Sequence, residues 1–256
     1  MSGFTALVLA GSRGGSDPVA DYAGVAHKAL IPIEGEAMIL RVIAALRQAG
    51  AGRIAVSTDH PEVVVVATAA GVDCLAPAAQ PSLSVLSAFQ VLGAPLLVTT
   101  ADHALLRPEW ITQFMTDTSP DADLSLLLAE RAEVEAAAPG TRRTYYRFAR
   151  KAWSGCNLFY LATPKAAAAL DLWRTVEAQR KHPWKVARLI GLTTLARYLG
   201  GRLTVQQAVA RLGASVGVCA AVVQSRFGLS AVDVDKPSDL DLVREILAVQ
   251  ASASQD

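Results

Sequence analysis

Three short stretches hold side chains able to do chemistry, and each directly follows an apolar run. The first, Leu9-Ala10-Gly11-Ser12-Arg13-Gly14-Gly15, leads through a Gly-, Ser- and Pro-containing loop to His27-Lys28-Ala29-Leu30-Ile31-Pro32. A glycine-rich turn lets backbone N–H groups approach phosphate oxygens, and Arg13 and Lys28 can neutralise their charge. The stretch fits neither the P-loop pattern, since no Gly-Lys-Ser/Thr follows, nor the dinucleotide fingerprint. The second is Val98-Thr99-Thr100-Ala101-Asp102-His103, where an uncharged run of 28 residues, Cys74 to Ala101, ends at an acidic residue. A strand-end aspartate is expensive to bury unless paired or bound to a cation, which makes Asp102 a candidate Mg²⁺ ligand. The third is Val232-Asp233-Val234-Asp235-Lys236-Pro237-Ser238-Asp239. Read as a strand, it puts Asp233 and Asp235 on one side, and two carboxylates there would complete a hard-cation site with Asp102. Each stretch also has a plainer reading: a flexible surface loop, a turn or N-cap aspartate at 102, and a helix start capped by Asp235 with Asp239 in its first turn.

The elements that must hold these loops alternate. Thr5–Ala10 reads as a buried strand, the Met38–Leu46 apolar spacing as a helix, Arg53–Ser57 as a strand, Pro61–Ala70 as a helix and Val72–Leu75 as a strand. Ser82–Leu92 follows as a helix, Leu96–Thr100 as a strand, a helix opens at Pro108, and Leu124–Ala129 is a strand again. Strands alternating with helices imply βαβ units, hence a mostly parallel sheet with helices on both faces, a three-layer α/β/α Rossmann-like fold. Ligands in such sheets bind at the carboxyl ends of the strands, where all three candidate loops fall. Beyond residue 150, Cys156–Leu161, Val216–Val223 and Ala231–Val234 read as strands, and Pro164–Gln179, Trp184–Tyr198, Val205–Leu212 and Pro237–Ala248 as helices. No repeat or linker divides the chain. The expectation is one domain over 1–248, with a nucleotide-binding half to residue 130, an acceptor-binding half beyond it, a helical insertion near 180–213 and a frayed tail from 249.

Composition narrows the class. The 256 residues are 52% hydrophobic, with 24 Lys plus Arg against 23 Asp plus Glu. That apolar fraction argues against disorder, and the net charge of +1 argues against a dedicated nucleic-acid binder. Cys74, Cys156 and Cys219 lack paired or CxxC spacing and read as buried thiols in a reducing compartment. The uncharged run is long enough to span a bilayer, but Pro77, Pro81, Pro95 and several Ser and Gln residues interrupt it, so it reads as core. The first residues lack the basic flank of a signal peptide, and a cytoplasmic monomer or homodimer is expected.

Taken together, Leu9-Ala10-Gly11, Lys28-Ala29-Leu30-Ile31-Pro32-Ile33 with Gly35, the strand ending in Asp102, and Asp235-Lys236-Pro237-Ser238-Asp239-Leu240 resemble the MobA-like nucleotidyltransferases. That group includes molybdenum-cofactor guanylyltransferases and sugar- and polyol-phosphate cytidylyltransferases, which share the nucleotide-diphospho-sugar transferase type of fold. The resemblance implies that Leu9, Ala10, Gly11, Ser12 and Arg13 line the nucleotide. It also implies that Lys28 reaches its phosphates, that Pro81, Ser82 and Ser84 face the base and ribose, and that Asp102 and Asp235 hold Mg²⁺, with Asp233 as a third carboxylate. It departs from the family pattern in two places: the loop from Gly14 to Ala26 is longer, and Lys236-Pro237 stands where Thr-Pro is usual. For the acceptor, Arg142-Arg143-Thr144-Tyr145-Tyr146-Arg147 and Ser154-Gly155-Cys156-Asn157 offer Arg143, Tyr145 and Asn157, because guanidinium forks suit a phosphate. A solvated basic hairpin is an equal reading of that stretch.

The implied reaction is Mg²⁺-dependent transfer of an NMP from an NTP, CTP or GTP before the others, onto a phosphorylated small molecule with release of pyrophosphate. The rivals are a glycosyltransferase of the related fold and a non-catalytic nucleotide-binding domain. His60, His103 and His182 are expected to be structural, and Trp110, Trp153, Trp173 and Trp184 to be core.

Overall fold

The computed structural model describes residues 3–12, 15, 17–179 and 191–253. Its centre is a mixed sheet in the order β10-β7-β9-β6-β1-β4-β5, with β8 paired to β9 outside that path. The first half alternates β1 (Phe4–Leu9), α1 (Pro18–Ala23), the two-residue strands β2 (Pro32–Ile33) and β3 (Glu36–Ala37), α2 (Met38–Gln48), β4 (Ala51–Ser57), α3 (Pro61–Ala69) and β5 (Asp73–Leu75). It continues with α4 (Pro81–Leu92), β6 (Leu96–Thr100), α5 (Pro108–Asp117) and β7 (Leu124–Glu130). The second half contains α6 (Arg131–Ala137), the hairpin β8 (Tyr146–Phe148) and β9 (Lys151–Leu161), α7 (Ala166–Gln179), α8 (Leu192–Leu199), α9 (Val205–Ala214), β10 (Ala220–Gln224) and α10 (Pro237–Ala253). Pairings β1 with β4 and β6, β4 with β5, and β10 with β7 are parallel, whereas β9 runs antiparallel to β6 and β7.

Residues along β1 alternate between two cores, as period-2 geometry requires. Ala6 and Val8 face a cluster with Ile39, Ile43 and Leu46 of α2, Ile111 and Phe114 of α5, and Leu240 and Val243 of α10. Leu7 faces the other side, with Val85, Ala88 and Phe89 of α4 and Leu170 of α7. The sheet is therefore covered on both faces, which is why its strands are almost uniformly apolar.

Several local expectations are corrected. Asp17 accepts from Val19 N at 2.9 Å and Ala20 N at 3.2 Å, and Pro18 sits at the first helical position, so α1 forms inside what composition suggests is loop. Residues 228–231 form a 3-10 turn and 232–234 belong to no strand, because Gly228 packs onto the α6 backbone, where a Cβ would meet Glu133 O at 2.0 Å. α10 extends past 248 to Ala253. The expected helix Trp184–Tyr198 lies outside the described residues as far as 190, and only α8 is seen from it; His182, Trp184 and residues 254–256 also lie outside. Only Cys156 of the three thiols is buried; Cys74 is partly exposed and Cys219 exposed. Trp110 and Trp153 are core, and Trp173 packs on Phe159.

Candidate active site

The chain leaves β1 to one side for β4 and β5, then returns to β6 on its other side, so β1 stands where the strand order reverses. Loops from the carboxyl ends of β1, β4, β5 and β6 meet there around a cleft of about 590 Å³, the expected location for a ligand. Leu9, Ala10, Gly11 and Ser12 line one side; Pro77 to Pro81 and Ser84 line the facing side. A Cβ on Gly11 would lie 3.4 Å from Pro77 Cβ, so the two loops approach to van der Waals contact here. Arg13 lies outside the described residues.

Ser84 is buried and shapes this wall from behind. Its Oγ accepts from Ala78 N at 2.8 Å and lies 3.2 Å from Gln80 O, folding the loop onto the first turn of α4. Ser82 is buried in that same turn and does not line the cleft, so of the three expected base contacts only Pro81 and Ser84 reach its wall.

Lys28 opens a 3-10 turn, Lys28–Leu30, whose start is capped by His27 Nδ1 accepting from Ala29 N at 3.1 Å. Buried Ala29 and Ile31 anchor the turn, so the Lys28 stem enters the cleft from a fixed backbone. Lys28 Nζ donates to Asp102 Oδ2 at 2.6 Å and lies 3.5 Å from Asp235 Oδ1. Burial opposes charge on both Lys28 and Asp102, but their mutual attraction and hydrogen bond outweigh it, holding the lysine above and the aspartate below its ordinary value. Asp102 Oδ1 is buried and lacks a hydrogen-bond partner among the described residues.

Two carboxylates 133 residues apart in sequence, one at the end of β6 and one in the loop before α10, thus converge on one cationic point. Among the described residues no three His, Cys, Asp or Glu side chains group closely enough to enclose a metal ion by themselves. Asp102 and Asp235 nevertheless fit Mg²⁺, which keeps several waters and is commonly bound by one or two carboxylates together with substrate phosphates.

Asp233 and Asp235 do not share a face. Asp233 is turned inward: Arg143 Nη1 pairs with its Oδ1, and Asn157 Nδ2 donates to its Oδ2 at 2.6 Å. Burial, with Asp102 and Asp235 nearby, still raises its carboxyl to about 6. Both oxygens of Asp233 are thus engaged by Arg143 and Asn157. The same contacts occupy the expected acceptor residues: Arg143 is 6% exposed, and Asn157 adopts a left-handed φ of 49° to reach Asp233. The Tyr145 hydroxyl is buried, and its ring lies under Arg131. The helix cap is also the reverse of expectation: Asp239 Oδ2 accepts from Asp235 N at 3.1 Å and Lys236 N at 3.0 Å.

Two histidines line the cleft: His27, quoted in the first candidate stretch without a role, and His60, expected to be structural. His27 and His60 lie 5.0 Å apart between ring centroids, and burial together with His60 lowers the His27 value. The position of His60 in the turn after β4, at a strand's carboxyl end, is the signal that could have found it. His103 is buried beside Trp110, where burial pushes it down to about 4.

A family model described as the MobA-like NTP transferase domain matches residues 6–188. The chain belongs to that family. This MobA-like enzyme is a nucleotidyltransferase, and its mostly parallel, two-faced sheet is the family's Rossmann-like architecture. It is similar to a hypothetical transferase from Thermus thermophilus, at 32% identity and a TM-score of 0.78 over 93% of this chain and 99% of that one. The fold is shared with a CMP:2-keto-3-deoxy-manno-octonic acid synthetase complexed with CTP, at 17% identity and a TM-score of 0.58 over 96% of this chain and 99% of that one. It is shared equally with a nucleotidyl transferase from Methanothermobacter, at 17% and 0.58 over 98% and 100%. No protein of curated function matches the MobA-like chain by sequence. No helix among its described residues is long and apolar enough to cross a membrane.

Proposed function

We propose that the chain moves an NMP from an NTP, with CTP or GTP preferred, onto the phosphate of a small-molecule acceptor in a Mg²⁺-dependent reaction that releases pyrophosphate. The observation that carries this reading is the convergence of Asp102 and Asp235 on Lys28 Nζ at the mouth of the cleft. The CTP held by the structurally similar synthetase is the reason to place CTP among the first candidates.

An acceptor phosphate oxygen attacks the α-phosphorus; the new P–O bond forms as the bond to the β-phosphate oxygen breaks. The acceptor is already anionic, so no general base is needed, and catalysis reduces to positioning and charge neutralisation. Gly11 and Ser12 bring main chain to the triphosphate, and Pro77 to Pro81 close over the nucleoside. Lys28 leaves its carboxylate partners for the phosphates and there offsets charge developing on the leaving pyrophosphate. Asp102 and Asp235 would hold Mg²⁺, which would supply further neutralisation of the phosphoryl oxygens. Lys28 bridges both carboxylates, so its movement to the phosphates would leave them free to hold the ion.

The test is pyrophosphate release with the four NTPs, each against sugar, polyol and glycerate phosphates. With the active pair in hand, Asp102→Ala and Asp235→Ala should each abolish turnover while the circular-dichroism spectrum is retained. Near-normal turnover in both variants would falsify the metal assignment, and tight NTP binding without turnover on any acceptor would favour a non-catalytic domain.

A further inference from the structure

The Asp235 side chain is 60% exposed, and Lys28 is its one ion-pair partner among the described residues, so its direction depends on the backbone that carries it. That direction is inherited from the backbone of residues 233–236, which is held from three other parts of the chain. Val234 N donates to Asp102 O at 3.1 Å, joining the loop to the strand end that bears the other candidate ligand. Asn157 of β9 holds the Asp233 carboxylate. Arg143, from the stretch between α6 and β8, does the rest: Nη1 pairs with Asp233 Oδ1, Nη2 donates to Asp233 O at 2.6 Å, and Nη2 lies 3.3 Å from Asp239 Oδ1. Asp239 spends its other oxygen on Asp235 N and Lys236 N. One buried guanidinium therefore neutralises both carboxylates that define the loop and grips its main chain directly.

Such a fork needs arginine, because a single ammonium cannot address a carboxylate, a carbonyl and a second carboxylate along fixed directions. Arg143 does not line the cleft. We infer that Arg143 is a positioning residue, which sets Asp235 opposite Asp102 by clamping Asp233 and Asp239. This rests on the reading that Asp102 and Asp235 hold the divalent ion.

The experiment is Mn²⁺ titration by electron paramagnetic resonance of the full-length protein with α,β-methylene CTP, with the GTP analogue in parallel, for the wild type and the Asp235→Ala, Arg143→Met and Arg143→Lys variants. Loss of groups that orient metal ligands commonly weakens metal binding about 10–100-fold. Arg143→Met should weaken Mn²⁺ at least tenfold and raise the Mg²⁺ concentration for half-maximal velocity in parallel, while leaving the KM of the NTP at saturating metal within about twofold. Arg143→Lys, which keeps the charge and loses the fork, should fall between wild type and Arg143→Met. Wild-type Mn²⁺ affinity in Arg143→Met, or a rise in acceptor KM alone, overturns the inference; if that variant does not fold, wild-type affinity in Arg143→Lys overturns it equally. Wild-type affinity in Asp235→Ala instead overturns the metal assignment itself, and so separates the two failures.

Discussion

Lys28, Asp102 and Asp235 are each unremarkable in isolation, and their chemistry comes from being brought together. Lys28→Ala should lower kcat by about 10²- to 10³-fold, the usual cost of losing one group aimed at developing charge. It should also let Mn²⁺ bind Asp102 and Asp235 without nucleotide, readable by the same resonance titration, because no ammonium then bridges them. At the opposite extreme is Cys156, which is fully buried and accepts from Ser230 Oγ at 3.2 Å. Burial pushes its thiol up to about 12, outweighing that hydrogen bond. A raised thiol value means fewer thiolates at every pH below it, so at pH 8 iodoacetamide should alkylate Cys219 and spare Cys156, as peptide mass spectrometry would show. The residue types at the site were legible because Gly11 and Asp102 directly after apolar runs, and Lys28 directly before one, are conspicuous. The occupation of Arg143, Asn157 and Asp233 by one another was not legible, because spacing says nothing of which charges meet 76 or 90 residues apart.

At the scale of elements, α2 shows how a periodic apolar face becomes stability. Ile39, Ile43 and Leu46 are all fully buried against the sheet, and Ile43→Ala should cost about 2–5 kcal/mol in denaturant unfolding. The ends of β7, β9 and β10 are joined by a different device. Asp123 accepts from Thr163 Oγ1 at 2.6 Å and from Cys219 N at 2.9 Å, and these bonds hold its carboxyl below the ordinary value. A lowered carboxyl value stabilises the fold above the unfolded group's value of about 3.9 and loses that contribution as the pH falls through the folded one. The melting-temperature gap between wild type and Asp123→Ala should thus be full near pH 7 and close towards pH 3; a gap that stays constant would contradict the tie. Regular elements with strong periodicity, such as α2 and β6, were legible from sequence. α1 was missed because six residues are too few to show a period, although Asp17-Pro18 is a cap signature. Residues 231–234 were misread as strand because an apolar run reports burial, while the close approach of Gly228 to α6 dictates a turn just before them.

At the scale of the whole molecule, the C-terminal segment both closes the first core and delivers Asp235. Leu240, Val243 and Leu247 of α10 pack in the cluster that contains β1 and α2, so the cleft and the main core share their last component. A ligand that binds only this assembled state stabilises it, by about 2.7 kcal/mol at one hundred times Kd. For a chain of this size that is about 5–10 °C, so differential scanning fluorimetry with Mg²⁺ should show such a rise for the cognate NTP and a much smaller one for the others. The sequence by itself determined the class of fold, since alternating apolar strands and amphipathic helices leave few ways to bury every face. It also determined the chemical inventory, because glycine, lysine and aspartate at strand ends suit phosphates and a hard cation. Only the tertiary structure decided which of those groups are free. Hydrogen bonding and charge pairing in a buried site depend on distances across the chain, and there Arg143 is consumed in holding Asp233 and Asp239 while Asp102 and Asp235 are left facing a cation.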